Sequence, residues 1–234
     1  MSQGLTSTTG GDAASVFEGM ELRTQFSPLF QLSDGAVVGA SLELCGPQGT
    51  NFDTPRALRR TATLMEQRAV LDSRKFEFAD TAAARHVADA IPLFVAVDID
   101  VYDSARTVPY GEILTLMIEP RSILRRPQSR IAQVAQARRN GTPIALEGVT
   151  ADRRTATLLT LIEPDIVLLH PDTLKSVPSS EIAHLAHILA AHTERTAAIV
   201  VAAGVDTEDD RRTALTLGAR HGLGALHPLS LIHI

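Results

Sequence analysis

The sequence predicts an α/β protein: a single (β/α)8-like barrel with one antiparallel strand. Three observations carry this. Six short apolar runs between Leu93 and Leu226 alternate with helical patterns, as expected for parallel β-α units. Ahead of them, two strand-like runs flank Ser33-Asp34-Gly35, a turn signal that makes an antiparallel hairpin. The chain of 234 residues has no linker inside 20–228, and a barrel domain runs to about 250 residues. The opening hairpin departs from the all-parallel form of that fold.

The elements follow in order. Residues 2–15 are mostly Ser, Thr, Gly and Ala with little to bury, so a flexible tail is expected over residues 1–20. The barrel is expected over 21–228. Phe26–Leu32 reads as a strand, with Pro28 at an edge or bulge position. Ala36–Leu44 is the second strand. Thr54-Pro55 can cap and start a helix that carries Leu58, Ala62, Met65 and Ala69 at helical spacing. A second helix is expected over Ala79–Ala90. Leu93–Ile99 and Ile113–Ile118 are continuous apolar runs, suited to strands buried on both faces. A helix over Gln128–Arg139 ends at Asn140-Gly141, a helix-stop signal. Strands at Pro143–Glu147, Asp165–Leu169, Ala197–Ala202 and Leu223–Leu226 alternate with helices. Those helices are capped by Asp152, opened by Ser179-Ser180-Glu181 as far as His192, and capped by Asp206 or Thr207.

Composition removes several functions. The net charge is −5 and charged residues are 21%, which disfavours a nucleic-acid binder. Aromatics are 4% and Trp is absent, so base stacking has little support. One cysteine, Cys45, excludes a disulfide framework and a cysteine-built zinc site. No apolar run approaches about 18 residues and no leader pattern is visible, so a reducing cytoplasm is expected, with no membrane partner. The last six residues, Leu229–Ile234, can be encoded by the mosaic-end adapter of transposon-based sequencing libraries. They are read as non-native, with the native chain continuing beyond Pro228; a short native apolar tail is the alternative.

Five pieces, in this order, resemble one family. Phe26–Leu32 resembles YQPIVDL and Val37–Ala40 resembles VVGAE. Pro164–Val167 resembles PDYLKID, Val200–Thr207 resembles VVAEGVET, and Leu217–Leu226 resembles LGCDYGQGYLF. The set is similar to the EAL domain, a TIM-barrel-like fold with one antiparallel strand that hydrolyses cyclic di-GMP. The resemblance spans about Phe26–Pro228. It implies a two-metal site at the C-terminal ends of the strands, with hard oxygens holding the ions.

Position by position, the implied chemistry is thin. The signature Glu falls on Ser41, so the motif reads Ser41-Leu42-Glu43, and the following Arg falls on Cys45. The metal-binding Asn falls on Asp98, and the Glu of the next strand on Met117. The paired Asp become Glu147 and Gly148. The catalytic Lys falls on Leu168 and its Asp on His170. Ala203 replaces a Glu and Leu223 a Gln. Only Asp98 and Glu147 keep oxygen ligands at principal positions, too few for two hard ions.

Glu43 and Glu119 lie two residues beyond Ser41 and Met117. That spacing keeps the strand face and moves about 6.6 Å along it, at roughly 3.3 Å per residue. A shifted site of Glu43, Asp98, Glu119 and Glu147 taking Mg or Mn is therefore weighed, against solvated rim carboxylates with no cofactor; the second is preferred. The expected vestigial pocket is Ser41, Glu43, Asp98, Glu119, Glu147 and His170, with no catalytic residue assigned.

Other groups are given plain readings. His184, His187 and His192 share a helix whose core side is Ile182, Leu185 and Leu189, so they are expected in solvent. Arg121, Arg125, Arg126 and Arg130 are read as a solvated basic face. Cys45 at the pocket mouth has no sequence neighbour to activate it. The leading expectation is a catalytically inactive EAL-like module whose partner is a protein or a further domain of its own chain. A non-hydrolysing cyclic di-GMP receptor is the alternative, and an active phosphodiesterase ranks last. The resemblance also implies pairing of two copies through the loop at Gly148–Asp152.

Overall fold

A computed structural model describes residues 16–79, 81–102, 113–150, 153–170 and 178–227. Eight strands close into a barrel in sequence order. They are β1 (Arg23–Gln31), β2 (Val37–Cys45), β3 (Leu93–Asp98), β4 (Ile113–Ile118), β5 (Ile144–Glu147), β6 (Ile166–Leu169), β7 (Ile199–Ala203) and β8 (His221–Leu223). β1 is antiparallel to both β2 and β8, and the other pairs are parallel. This is the expected barrel with its one reversed strand.

The hairpin forms where the turn residues place it. Gly35 takes a positive φ of 75°, and the Ala36 amide donates to Asp34 Oδ1 at 3.0 Å. Gln31 N closes the turn on Ala36 O at 2.8 Å. Pro28, which has no amide proton, lies one residue before an irregularity at Leu29/Phe30 and beyond the reach of β8, which pairs only with Leu29–Gln31. Gly222 in β8 sits so close to Phe30 that an added Cβ would meet its ring at 2.8 Å.

Helices cover the barrel. α1 (Pro55–Leu64) starts as read: Thr54 accepts from the Ala57 amide, and Pro55 occupies the first turn. It does not run to Ala69. The chain turns at Glu66, whose φ is 56°, and a separate α2 (Arg68–Ala79) follows. The helix expected over Ala79–Ala90 is therefore α3 (Ala82–Ala90), with Ala79 closing α2. α4 (Pro120–Arg125) precedes α5 (Pro127–Arg139), because Pro127 cannot continue a helix and opens a new one. α6 (Arg153–Ile162), α7 (Ser179–Thr196) and α8 (Glu208–Thr216) complete the described set. α7 runs a turn past His192 and stops at Ala197 in the left-handed region. Thr207, not Asp206, caps α8, and its hydroxyl and the Asp210 carboxylate form a reciprocal box. The last strand falls at His221–Leu223 rather than Leu223–Leu226.

Strand parity sorts the side chains. Val95, Val97, Leu116, Ile118, Leu146, Val167, Leu169, Val200 and Ala202 pack under the helices. The alternate positions, including Ser41, Asp98, Thr115, Glu147 and Leu168, therefore face the barrel interior. Phe17 is fully buried with Leu44, Leu58 and Leu71, so order extends upstream of the expected boundary near residue 20. Residues 1–15 of that tail, Asp152, and residues 229–234 lie outside the described residues. No described helix is long and apolar enough to cross a membrane.

Candidate functional site

The C-terminal ends of β3, β4 and β5 carry Asp98, Glu119 and Glu147, and His170 follows β6. Parallel strands in register bring these ends to one mouth of the barrel. Two arginines reach in over them, Arg59 from α1 and Arg68 from α2. Arg68 pairs with all three carboxylates: Glu119 at Nη1, Glu147 Oε2 at 3.4 Å and Asp98 Oδ2 at 3.7 Å from Nη2. Arg59 Nη2 donates to Glu147 Oε2 at 2.6 Å and lies 3.2 Å from Met117 Sδ.

The remaining oxygens also have protein partners. His170 Nε2 lies 2.9 Å from Glu147 Oε1. Asp98 Oδ1 accepts the Asp100 amide at 2.9 Å. Glu119 Oε2 pairs with Arg121. Behind this layer, Asp72 Oδ2 accepts the Asp98 amide at 2.9 Å, and Lys75 Nζ lies 3.3 Å from Asp72 Oδ1 and donates to Ala96 O at 2.8 Å. Arg68, Asp72 and Lys75 are each less than 10% exposed.

Burial and charge compete at every member. Burial would raise the Glu147 pKa, but Arg59, the His170 hydrogen bond and Arg68 hold it well below the usual carboxylate range. Burial would lower the Arg59 pKa, and Glu147 foremost among four acids raises it instead. Arg68 is lowered, by burial first and by the neighbouring Arg59 second. Burial raises Asp98 despite the Asp100 amide and Arg68. The cluster sets Glu43, Asp72, Asp98, Glu119 and Glu147 against Arg59, Arg68, Lys75 and Arg121.

Of the six expected pocket residues, Asp98, Glu119, Glu147 and His170 come together. Ser41 donates to Glu43 Oε1 at 2.9 Å, and Glu43 acts on Arg59 by charge. Arg59, Arg68, Asp72 and Lys75 escaped the sequence reading. Their signal was present: Arg68, Asp72 and Lys75 stand at i, i+4 and i+7, one helix face.

Three plain readings need correction, the first being that of solvated rim carboxylates: Asp98 and Glu147 are buried, and with Glu119 they are ion-paired. His192 is buried, not solvated, because it continues the face of Leu185 and Leu189 at i+7 and i+3. Its Nε2 lies 3.4 Å from Pro164 O. His184 and His187 are exposed as expected. Arg130 is 6% exposed and pairs with Asp100, so the basic group is not wholly a solvated face. Cys45 is buried; its Sγ lies 3.4 Å from Gln25 Oε1, and burial pushes its pKa up, away from a reactive thiolate.

The chain belongs to the EAL domain family, whose model matches residues 12–228. Among solved structures it is similar to the PaMucR phosphodiesterase in complex with c-di-GMP, at 16% identity and TM-score 0.67, over 90% of this chain and 99% of that one. The EAL domain of FimX from Xanthomonas citri, also in complex with c-di-GMP, is similar at 11% identity and TM-score 0.64, over 88% and 86%. YkuI of Bacillus subtilis, with an EAL domain and in complex with c-di-GMP and calcium, is similar at 14% identity and TM-score 0.63, over 88% and 53%. A comparison with curated protein sequences found no match.

Proposed function

We propose that this chain is a degenerate EAL domain that does not hydrolyse cyclic di-GMP and serves as a signalling or protein-interaction module. One observation carries the reading: the carboxylates at the strand ends are already engaged by Arg59, Arg68, Arg121 and His170. Hard divalent ions need several free oxygens, and each oxygen of Asp98, Glu119 and Glu147 has a protein donor or cation beside it. The donor set does not fit a two-metal centre, so no hydrolytic step is derived through one. Leu168, beside Glu147 in register, has no group to order or activate a water where the family resemblance places a lysine.

The same charges argue against the receptor alternative. A cyclic dinucleotide carries two phosphate charges, and the cations at the mouth, Arg59, Arg68 and Arg121, are already paired with its carboxylates. A protein partner or a further domain of the same chain remains the preferred occupant of this module's surface.

Calorimetric titration with cyclic di-GMP, with and without magnesium, tests the reading alongside chromatography of a manganese incubation. No linear dinucleotide and no binding in the micromolar range are expected. Micromolar binding would move the chain to the receptor class. Linear product lost in Glu147→Ala would establish an enzyme.

A further inference from the structure

We propose that Arg59 and Arg68 are the resident cations of the barrel mouth: they stand where the family's fold implies divalent ions, and they exclude such ions. This rests on the non-hydrolysing reading and names the device behind it.

The geometry singles out Arg68. Its two terminal nitrogens touch the acids of three consecutive strands, Asp98 of β3, Glu119 after β4 and Glu147 of β5. One guanidinium therefore marks the point on which the three carboxylates converge. Arg59 adds a second positive charge on the same Glu147 oxygen, at 2.6 Å. Two guanidinium charges spread over three carboxylates supply the positive charge that one divalent ion would bring, here from side chains.

The packing makes the exchange one-sided. Arg68 is 8% exposed, and its Nε has no hydrogen-bond partner. The group is placed by its acids, not by full satisfaction of its own donors. An incoming ion needs oxygens at about 2.0–2.6 Å, within the space the guanidinium fills. It would also meet two fixed like charges in a poorly solvated site, where repulsion is strong. Without Arg68, Asp98 would lose the cation beside it and Glu119 and Glu147 one of theirs, and an ion could take that place.

Mn2+ alone is the probe, followed by calorimetry and by thermal unfolding of the whole chain. Wild type is expected to give no Mn2+ binding isotherm and no change in Tm. Arg68→Ala is expected to unfold at lower temperature, to bind Mn2+, and to regain part of its Tm as Mn2+ rises. Arg68→Ala combined with Glu147→Ala should lose that gain. Should Arg68→Ala fail to fold even with Mn2+, Arg68→Gln decides, because it keeps a polar side chain at the position and removes the charge that touches all three carboxylates. Mn2+ binding by wild type as tight as by the variants overturns the proposal, and so does a folded variant that binds none. Cleavage of cyclic di-GMP by wild type would instead sink the functional reading, so the two failures are distinguishable.

Discussion

At Asp72 and Lys75, charge is spent inside the protein. They sit 3.3 Å apart, and each also bonds the backbone of β3, Asp72 at the Asp98 amide and Lys75 at the Ala96 carbonyl. That pairing is what lets two ionised groups lie under a helix. Apolar periodicity cannot see such a face, because it counts charges as outward. Asp98 and Glu147 were legible through the family resemblance, which says nothing of the arginines above them. His192 was misread in the opposite way: its i+3 and i+7 relation to Leu189 and Leu185 marked a core position, but its polarity suggested solvent. Burial lowers its pKa from 6.5. The neutral form is thus favoured when folded, and the unfolded chain binds the proton more readily. Stability contributed by His192 is present above about pH 6.5 and declines as pH falls from there toward the lower folded value. His192→Gln is expected to flatten the fall of Tm between about pH 7 and 5; an unchanged slope would remove His192 as its source.

Among the elements, those with strong local chemistry formed where their residues indicated. Thr54-Pro55 opened α1, and Ser33-Asp34-Gly35 closed the hairpin. α8 owes its start to Thr207 and Asp210: the Asp210 amide donates to Thr207 Oγ1 at 3.2 Å, and the Thr207 amide to Asp210 Oδ2 at 3.0 Å. Thr207→Ala is expected to cost about 1 kcal/mol, seen as a lower urea midpoint at unchanged slope; no shift in midpoint would deny the box a stabilising role. The elements that moved lacked such signals. Nothing in Met65-Glu66-Gln67 resembles a helix stop, because Glu66 carries a positive φ without being glycine. β8 slid to His221–Leu223, since the close approach to Phe30 requires the glycine at 222 to lie within the strand.

Over the whole molecule, closure is uneven. β1 and β2 pair along nearly their full length, but the hairpin joins the rest of the barrel only through Ala40–Ser41 on Leu93–Phe94 and Leu29–Gln31 on His221–Leu223. Short seams open at lower free energy than long ones. Hydrogen exchange read by mass spectrometry should show amides at the two-position β2–β3 seam exchanging before those at the four-position β6–β7 seam; the reverse order would refute this view of the seams. The barrel was legible from the order of its pieces, and membership of the EAL family from the same ordered set, even though sequence identity to similar structures is only 10–16%. The consequence of Arg59 and Arg68 lying nine residues apart on one turn of chain is mechanical. Both counter-charges travel on the same short segment, through the bend at Glu66. Any movement of that segment away from the barrel would strip Arg59 and Arg68 from the acids of three strands in a single step, so the local field and the position of α1–α2 are one variable.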